Sequence, residues 1–336
     1  MKNKQQTTAP CAPRVTVIIP VWNSAQWIHA CLSAVSCQTF TNFQLLIIDN
    51  GSTDDSMVRV KQHDITDLTI ISFPKNRGFA AAVNAGIRQA ATPYIALLNI
   101  DTVPAVDWLE YLVQAMEEAT PEVTSAASRM LSMENPEQID SAGDILSWYG
   151  SAHKRGHGQN ADTFNQRDFI FSACAGAALY RRSLFRDIGC FDELFTSYFE
   201  DIDLGFREKL HGYRCLYVPE AKILHQGHGA GIAGGYYVFL ITRNRLLTLI
   251  KNIPFPDLLR HCHQILYGQL YFFIVYRHPL ASVKGYLSAL LLLPAILRER
   301  KKILRNNRKQ KILLDKILEP SLGEPGLTAL LRKKTV

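Results

Sequence analysis

The sequence lacks the features that mark secreted and zinc-binding proteins. Its seven cysteines are scattered, odd in number and contain no C-x-x-C pair. Neither a disulfide framework nor a thiolate zinc site is therefore indicated. Residues 1–13 are polar and lack the apolar segment of a secretory signal, and we expect them to be disordered. These absences predict a protein of a reducing compartment, the cytoplasm.

Several nucleotide-binding and hydrolase signatures are also missing. No Walker A sequence and no G-x-S-x-G elbow occurs, which disfavours a P-loop enzyme and an α/β-hydrolase. Residues 229–234 match G-x-G-x-x-G after a predicted strand, but no acid between Lys222 and Lys251 is available to bind a dinucleotide ribose. We interpret this run as a flexible loop near the site.

Long uninterrupted apolar runs are missing too. The two most apolar stretches, residues 264–276 and 280–297, contain 13 and 18 residues, and Pro279 and Pro294 interrupt them. A membrane-spanning helix needs roughly 20 apolar residues. We therefore expect a helix pair that lies in the membrane interface, anchored by aromatic side chains. A buried helical subdomain is the alternative.

Positive charge is concentrated at the C-terminus. Residues 298–336 hold 12 Lys or Arg and 4 Asp or Glu, a net charge of +8, whereas the whole chain carries +7. Such a tail favours an anionic partner, either a membrane or a nucleic acid, unless it is simply solvated. Apolar residues interleave with the basic ones and no nucleic-acid-binding motif accompanies them, so we expect an anionic membrane surface and no nucleic acid.

The sequence does contain a regular alternation of strand and helix patterns. Residues 15–20, 45–48, 68–72 and 94–98 are short apolar runs typical of buried strands, and helical spacing separates them. This alternation predicts a mostly parallel sheet covered on both faces. Because ligands bind beyond the carboxyl ends of such strands, Asp49 and Asp101 are expected on one rim.

Two later segments do not continue this alternation of strands and helices. Residues 131–166 show no clear period, which is compatible with a mobile acceptor-side loop or with a surface excursion. Residues 200–211 predict a helix with acids in its first turn. Acids there suit the helix dipole on their own account, so their presence does not prove catalysis.

Five motifs in one order resemble the family 2 glycosyltransferases of the GT-A fold, over roughly residues 14–250. They are VIIPVWN at 17–23, DNGSTD at 49–54, NRGFA at 76–80, N-I-D at 99–101, and YFEDIDL at 198–204. The last resembles the acidic motif of the rhamnosyltransferase-like branch. One such motif is weak evidence, whereas five in order are strong.

The resemblance implies an α/β GT-A fold, a mostly parallel sheet flanked by helices, here followed by C-terminal apolar and amphipathic helices. It also implies a nucleotide-sugar site in which Asp49 binds the base. A plain alternative is that Asp49 and Ser52 only cap a turn. The residues it assigns to donor binding are Pro20, Val21, Asn23, Asp49, Ser52, Asn76, Gly78, Asn84, Asn99 and Asp101.

A divalent metal, Mg²⁺ or Mn²⁺, is implied by the same resemblance. Residues 99–101 take the place of the family's D-x-D motif, but Asn99 replaces the first acid and removes one charge. Asp101 is then the expected metal ligand. His225 takes a position where related enzymes often supply a histidine to the metal or diphosphate, and His228 competes for that role.

The resemblance further implies an inverting displacement with Asp201 as the base. Glu200 is expected to assist it, and Glu200 or Asp203 is the alternative base. Like-charge neighbours raise the pKa of an aspartate toward useful basicity. Arg243 or Arg245 is expected either to contact a phosphate or to form ordinary surface salt bridges.

The predicted protein is thus a metal-dependent glycosyltransferase, peripheral on the inner face of the cell membrane. It would move a rhamnose-like or other hexose from a dTDP- or UDP-sugar to a lipid-linked or cell-surface glycan acceptor. Residues 14–250 form the predicted catalytic domain and residues 251–336 a membrane-associated helical segment with the basic tail. The competing hypotheses are a nucleic-acid-binding protein and a catalytically inactive sugar-nucleotide binder.

Overall fold

The structure, a computed structural model, describes residues 12–65, 67–227, 234–306 and 314–323. The motif at 229–234 therefore lies almost wholly outside the described residues, as do His228, residues 1–11 and most of the basic tail. In the described parts of the chain the strands are β1 (Val15–Val21), β2 (Phe43–Asp49), β3 (Leu68–Ser72), β4 (Tyr94–Leu98), β5 (Thr102–Pro104), β6 (Val123–Ser132), β7 (Ile139–Ser141), β8 (Asp144–Leu146), β9 (Ala152–Lys154), β10 (Asp168–Ile170), β11 (Ala177–Arg181) and β12 (Arg214–His225).

Ten of these strands form one sheet in the order β10-β12-β6-β11-β4-β1-β2-β3, with β5 on β12 and β7 on β6. The β4-β1-β2-β3 half is parallel, as the sequence predicted. The other half is mixed, because β11 pairs antiparallel with both β4 and β6 while β12 runs parallel to β6. Strands β8 and β9 form a separate antiparallel pair.

The helices over the described residues are α1 (Ala25–Ser36), α2 (Ser56–Val60), α3 (Phe79–Gln89), α4 (Trp108–Glu118), α5 (Arg182–Ile188), α6 (Glu200–Leu210), α7 (Gly234–Asn252), α8 (Phe255–Arg260), α9 (Cys262–Val275) and α10 (Pro279–Asn306). Helix α1 begins after Ser24, whose hydroxyl donates to the Trp22 carbonyl and does not cap the helix. Its buried residues recur at helical spacing and cover the sheet.

Both faces of the sheet are buried, which explains the continuous apolar runs of its strands. Val17 and Ile19 of β1 face one core together with Leu45 and Ile47, whereas Ile18 faces the other. The alternation follows from the two-residue period of a strand. Helices on both faces therefore leave the carboxyl ends of the parallel strands as the accessible rim.

The middle of the segment 131–166 is built into the protein, whereas residues 134–138 and 157–160 are exposed at the surface. Strands β7 and β8 lie in this segment, and Asp140, Ser141, Asp144 and Leu146 are all buried. No hydrophobic period marks the segment because its buried positions are largely small or polar residues. The segment instead forms one wall of the site described below.

A third apolar cluster joins α6, α7 and α10. Helix α10 runs for 28 residues with Pro294 inside it, so the helix continues beyond the 18-residue apolar stretch at 280–297 into charged residues. By length and composition Pro279–Arg305 is able to cross a membrane, with a mean hydropathy of 1.8 and 22% of its most apolar window buried. Such helices also occur in the cores of soluble proteins, but this one is largely uncovered.

Candidate active site

The ends of β1 and β2 bring five of the predicted donor-binding residues together. Val21 pairs in register with Asp49, directly after the pair Pro20 and Ile48. The backbone N–H of Ser52 donates to Asp49 Oδ1 at 2.9 Å. The Ser52 hydroxyl in turn accepts from the backbone N–H of Asn23 at 3.2 Å. Asp49 retains Oδ2 for another partner, so the turn cap leaves part of its hydrogen-bonding capacity available.

The loop after β3 is held by hydrogen bonds between amide side chains. The Asn50 side chain donates to Asn76 Oδ1 at 3.0 Å and to the Gly78 carbonyl at 3.2 Å. Gly78 has φ +87°, and a Cβ there would lie 2.5 Å from the Thr196 side chain. This position therefore needs glycine both for its backbone angle and for the close approach of Thr196.

Asn84 lies in α3, and its side chain forms its hydrogen bonds with other residues of the protein. Its side-chain amide donates to the Phe191 carbonyl at 2.8 Å and to Glu193 at 3.1 Å. Its carbonyl oxygen accepts from the Phe191 N–H at 3.0 Å. With a 2% exposed side chain it holds the Phe191 turn in place and does not reach the rim.

The segment after β4 lies on the same rim. Asp49 ends β2 and Asp101 follows β4, and these two strands flank β1 in the parallel half of the sheet. The backbone N–H of Asn99 donates to the Gly176 carbonyl at 2.8 Å, which ties this segment to the loop before β11. The sequence-based expectation of one rim for Asp49 and Asp101 agrees with this placement.

His225 at the end of β12 lies between two carboxylates. Its Nδ1 is 2.8 Å from Asp140 Oδ2, and its Nε2 is 3.6 Å from Asp101 Oδ2. Burial by itself would raise the pKa of Asp140, but the hydrogen bond with His225 and the charge of Lys154 lower it to about 2. Asp140 is therefore ionised at neutral pH and can only accept, so Nδ1 of His225 is the donor.

This pair fits a divalent cation. With Nδ1 bound to Asp140, Nε2 faces the Asp101 carboxylate at a distance too long for a hydrogen bond. A cation could bind both atoms, since carboxylate oxygens suit Mg²⁺ and Mn²⁺ and a neutral imidazole nitrogen is a common metal ligand. Among the described residues no three His, Cys, Asp or Glu side chains form a metal cluster. The remaining ligands would have to come from a bound molecule or water.

Three carboxyl groups meet at the start of α6. Asp201 accepts from the backbone N–H groups of Ile202 at 2.8 Å and Ala175 at 3.4 Å. Burial raises the pKa of Asp201 and outweighs these hydrogen bonds. Burial and repulsion from Asp201 raise the pKa of Glu200 and of Asp144 well above the usual range. Asp201 is thus more basic than an exposed aspartate, while its neighbours favour their neutral forms.

The loop that leads into α6 has a strained backbone. Thr196, Tyr198 and Phe199 all have φ between +66° and +69°, an unfavourable region for residues with side chains. The side-chain amide of Asn244 donates to the carbonyls of Phe195, Ser197 and Tyr198 at 2.7–2.9 Å. Asn244 therefore holds the conformation that presents Glu200 and Asp201 to the rim.

Asp203 lies outside the pocket and links α6 to α7. It is fully buried and forms ion pairs with Arg207 and Lys251, both at 2.8 Å. Burial would raise its pKa, but these cations lower it to about 2. A carboxylate bound in this way is a poor proton acceptor, so the alternative that Asp203 is the base finds no support in the geometry.

Neither predicted arginine forms a surface salt bridge. Arg243 donates to the Phe195 carbonyl at 2.7 Å and to the Asn244 side chain at 2.8 Å. Arg245 is 2% exposed and has no carboxylate partner within the described residues. The expectation of ordinary surface ion pairs is therefore wrong for both.

Sequence reasoning missed Asp140, Asp144, Lys154 and Asn244. The first two lie in the segment without a hydrophobic period, where the run Asp140-Ser141-Ala142-Gly143-Asp144 was the available signal. Two acids separated by small residues and a glycine of φ +101° suggest a buried turn. Their pairing with His225 and Ser172 depends on contacts 85 and 28 residues apart in the chain.

Comparison with known sequences identifies the family of this chain. The sequence model of Glycosyl transferase family 2 matches residues 16–189, just over half of the chain. The protein belongs to Glycosyl transferase family 2. The match covers the rim residues from Val21 to Asp101 but ends before Asp201 and His225, whose assignment depends on the geometry above.

The relatives of this family 2 protein are distant. A pre-mycofactocin glycosyltransferase from Mycobacterium tuberculosis is 28% identical over 229 residues, which are 65% of this chain and 44% of the relative. The chain thus spans less than half the length of that curated relative.

Solved structures agree on the fold. A mannosyltransferase of Pyrobaculum calidifontis in complex with GDP-Man and Mn²⁺ aligns with a TM-score of 0.53 at 18% identity, over 89% of this chain and 83% of that one. GalNAc-T7 with UDP, GalNAc and Mn²⁺ aligns at 0.58 and 14% identity, over 72% and 48%. Together with the mixed, mostly parallel sheet, this confirms the predicted GT-A fold.

Proposed function

We propose that this family 2 protein transfers a sugar from a nucleoside diphosphate donor to a hydroxyl group. The observation that supports this most directly is the convergence of two groups at one rim. Asp101 with His225 offers a cation site, and Asp201 offers a carboxylate of raised pKa. Both groups are tied to the loop before β11. The Ala175 N–H donates to the Asp201 carboxylate, and the Gly176 carbonyl accepts from the N–H of Asn99, two residues before Asp101.

The donor would bind along the ends of β1, β2 and β4. Asp49 lies at the end of β2, and no donor among the described residues binds its Oδ2, which is suited to a ring N–H of uracil or thymine and supports a UDP- or dTDP-sugar. A rhamnose-like or another hexose is the proposed sugar. The complexes of the P. calidifontis enzyme with GDP-Man and of GalNAc-T7 with UDP support the general donor class.

Mg²⁺ or Mn²⁺ would be held by Asp101 and His225. A bound divalent cation supplies charge neutralisation for a diphosphate leaving group. A diphosphate bound beside His225 would need such neutralisation, since the carboxylates of Asp101 and Asp140 flank that ring. The Mn²⁺ in both solved neighbours supports the same choice.

Asp201 would act as the general base of a single inverting displacement. The acceptor oxygen forms a bond to the anomeric carbon, the bond from that carbon to the diphosphate oxygen breaks, and the acceptor proton moves to Asp201. The electron pair of the broken bond leaves with the nucleoside diphosphate. Glu200, whose Oε2 is buried without a partner among the described residues, would orient Asp201 or the acceptor.

The proposed acceptor is a lipid-linked or cell-surface glycan reached from the inner face of the cell membrane. Helices α9 and α10 support this location, because they expose large apolar side chains to the surroundings: Leu266, Leu270, Ile274, Leu280, Leu287, Leu290 and Leu291. We accordingly propose residues 14–250 as the catalytic unit and residues 251–336 as the membrane-associated segment.

The test is release of nucleoside diphosphate from UDP-, dTDP- and GDP-sugars by detergent-purified protein, with Mg²⁺ or Mn²⁺ and with EDTA. Metal-dependent release from one donor is expected. Asp201→Asn should lower turnover by about 10²–10⁴-fold while donor affinity stays within a few-fold, as a lost general base requires. Asp64→Asn, at an exposed aspartate far from the rim, is the matched control.

Two outcomes would contradict the proposal. Absence of both release and binding for every donor would exclude the nucleotide-sugar site. Unchanged turnover in Asp201→Asn would exclude that residue as the base.

A further inference from the structure

A second cavity of about 250 Å³ lies between α7, α9 and the loop before α6. Half of its ten lining residues are aromatic, and Arg245 is the one lining residue among them that carries a full charge at neutral pH. The aromatic residues that line it are Phe199, Tyr237, Tyr271, Phe272 and Tyr276. The volume is several times the share of one water molecule, roughly 30 Å³, so the cavity has room for a phosphate group and attached carbon atoms.

Arg245 is incompletely satisfied in this cavity. Its Nε donates to the Gly150 carbonyl at 3.2 Å and its Nη2 to the Tyr276 hydroxyl at 2.8 Å. The guanidinium lies 3.7 Å from the centre of the Phe272 ring. Its Nη1 is buried and makes no hydrogen bond to any described residue. Across the described chain no carboxylate lies within ion-pair distance of it.

A buried cation without an anion is unfavourable. Guanidinium groups stay protonated even when buried, because their intrinsic pKa is above 12. Aromatic faces stabilise the cation partly, but they bring no compensating negative charge. An anion that enters the cavity would pair with the positive charge of Arg245, a lining residue, in a site shielded from water. The remaining walls would contact the apolar part of the same molecule.

We propose that this cavity binds the phosphate group of a lipid-borne acceptor, with Arg245 as its counter-charge. The inference rests on the proposed glycosyl transfer and names where its acceptor is recognised. Phe199 forms part of the wall and directly precedes Glu200 and Asp201 in the chain. Helix α9 lines the cavity with Tyr271 and Phe272, while its Leu266 and Leu270 face outward, 67% and 54% exposed. An apolar chain attached to the phosphate can therefore continue from the cavity onto an apolar surface.

The test compares farnesyl monophosphate, farnesol and inorganic phosphate in equilibrium binding to the full chain. Wild type is expected to bind farnesyl monophosphate at least about tenfold more tightly than either other molecule, since charge-assisted hydrogen bonds and apolar contacts both contribute. Arg245→Met should reduce the preference over farnesol to about onefold, and Arg245→Lys should retain part of it. Arg298→Met removes an exposed arginine of α10 and is expected to retain the full preference for farnesyl monophosphate over farnesol.

Two results would overturn the inference. Equal binding of inorganic phosphate and farnesyl monophosphate would identify a site for free phosphate. An equal loss in Arg245→Met and Arg298→Met would indicate general attraction to a basic surface. If Arg245→Met fails to fold, the wild-type thermal shift decides: farnesyl monophosphate must raise the melting temperature more than farnesol does.

Donor binding is measured on the same proteins, which separates this inference from the proposed function. A protein that releases nucleoside diphosphate but shows no preference for farnesyl monophosphate contradicts the acceptor site alone. A protein that binds farnesyl monophosphate but no nucleotide sugar contradicts the proposed function.

Discussion

Nε2 of His225 lies 3.6 Å from Oδ2 of Asp101, while Nδ1 of the same ring is 2.8 Å from Asp140. The ionised Asp140 accepts the Nδ1 proton, which fixes the ring with Nε2 turned toward Asp101. A histidine oriented in this way is a prepared ligand, because its tautomer and ring angle are set before any cation arrives.

Asp140→Asn should therefore weaken the binding of Mn²⁺ by about 10–100-fold in the presence of nucleoside diphosphate. The amide accepts the Nδ1 proton less strongly, and it also leaves Lys154 without its partner. Mn²⁺ binding followed by electron paramagnetic resonance measures this without any turnover. Asp168→Asn, at a carboxylate that is 54% exposed, should leave the affinity unchanged. Equal affinity in Asp140→Asn and wild type would mean that His225 needs no such orientation.

Asp144→Asn should stabilise the protein above neutral pH and have little effect in acid. The raised pKa of Asp144 means that the folded state prefers the neutral form, so its favourable contribution is present at low pH and lost as the pH rises through the raised pKa. Asparagine stays neutral and still accepts from Ser172. At pH 8 we expect a melting temperature about 1–2 °C higher, corresponding to roughly 1 kcal/mol for a chain of this length. A gain of the same size at pH 4 would show that charge is not the cause.

Asn244→Ala should lower kcat more than it changes the KM for the donor. The carbonyls of Ser197 and Tyr198 in the strained loop lose the Asn244 side chain as donor, whereas that of Phe195 keeps Arg243, and α6 with Asp201 begins right after that loop. The free energy of unfolding should fall by about 2–4 kcal/mol, since buried acceptors are left unsatisfied. Steady-state kinetics and chemical unfolding of the same variant measure both effects. Asn135→Ala, at an exposed turn, serves as the control. A rise in KM with unchanged kcat would place the role of Asn244 in donor binding.

Replacement of Leu290 and Leu291 by glutamine should weaken binding to anionic vesicles by at least about tenfold. These side chains are 64% and 82% exposed on α10, and each leucine transferred from water to lipid contributes up to about 1.5–3 kcal/mol. Co-sedimentation with phosphatidylglycerol vesicles measures the change. Val58→Gln, at a similarly exposed residue of α2, should bind as wild type does. If the variant with glutamine at positions 290 and 291 binds the vesicles as tightly as wild type, α10 does not contact the membrane.

The parallel half of the sheet was predictable because each strand there is a local signal. Residues 68–72 and 94–98 are apolar runs bounded by polar turns, and the structure has strands at those same bounds. The rim position of Asp49 and Asp101 followed from a general rule for parallel strands. Helix α10 was predicted less well, because Pro294 suggested a break that the helix accommodates.

The amino-acid sequence by itself determined the α/β alternation, the motif order and the residues at each strand end, since these depend on neighbours along the chain. Only the tertiary structure decided which side chains meet. Asp140 reaches His225, Asn244 supports the loop before Asp201, and Arg245 is enclosed without a counter-charge. Each of these contacts joins residues tens of positions apart, so no local period or motif records it. Packing also assigned Asp203 to an ion-pair cluster, although it lies two residues from Asp201.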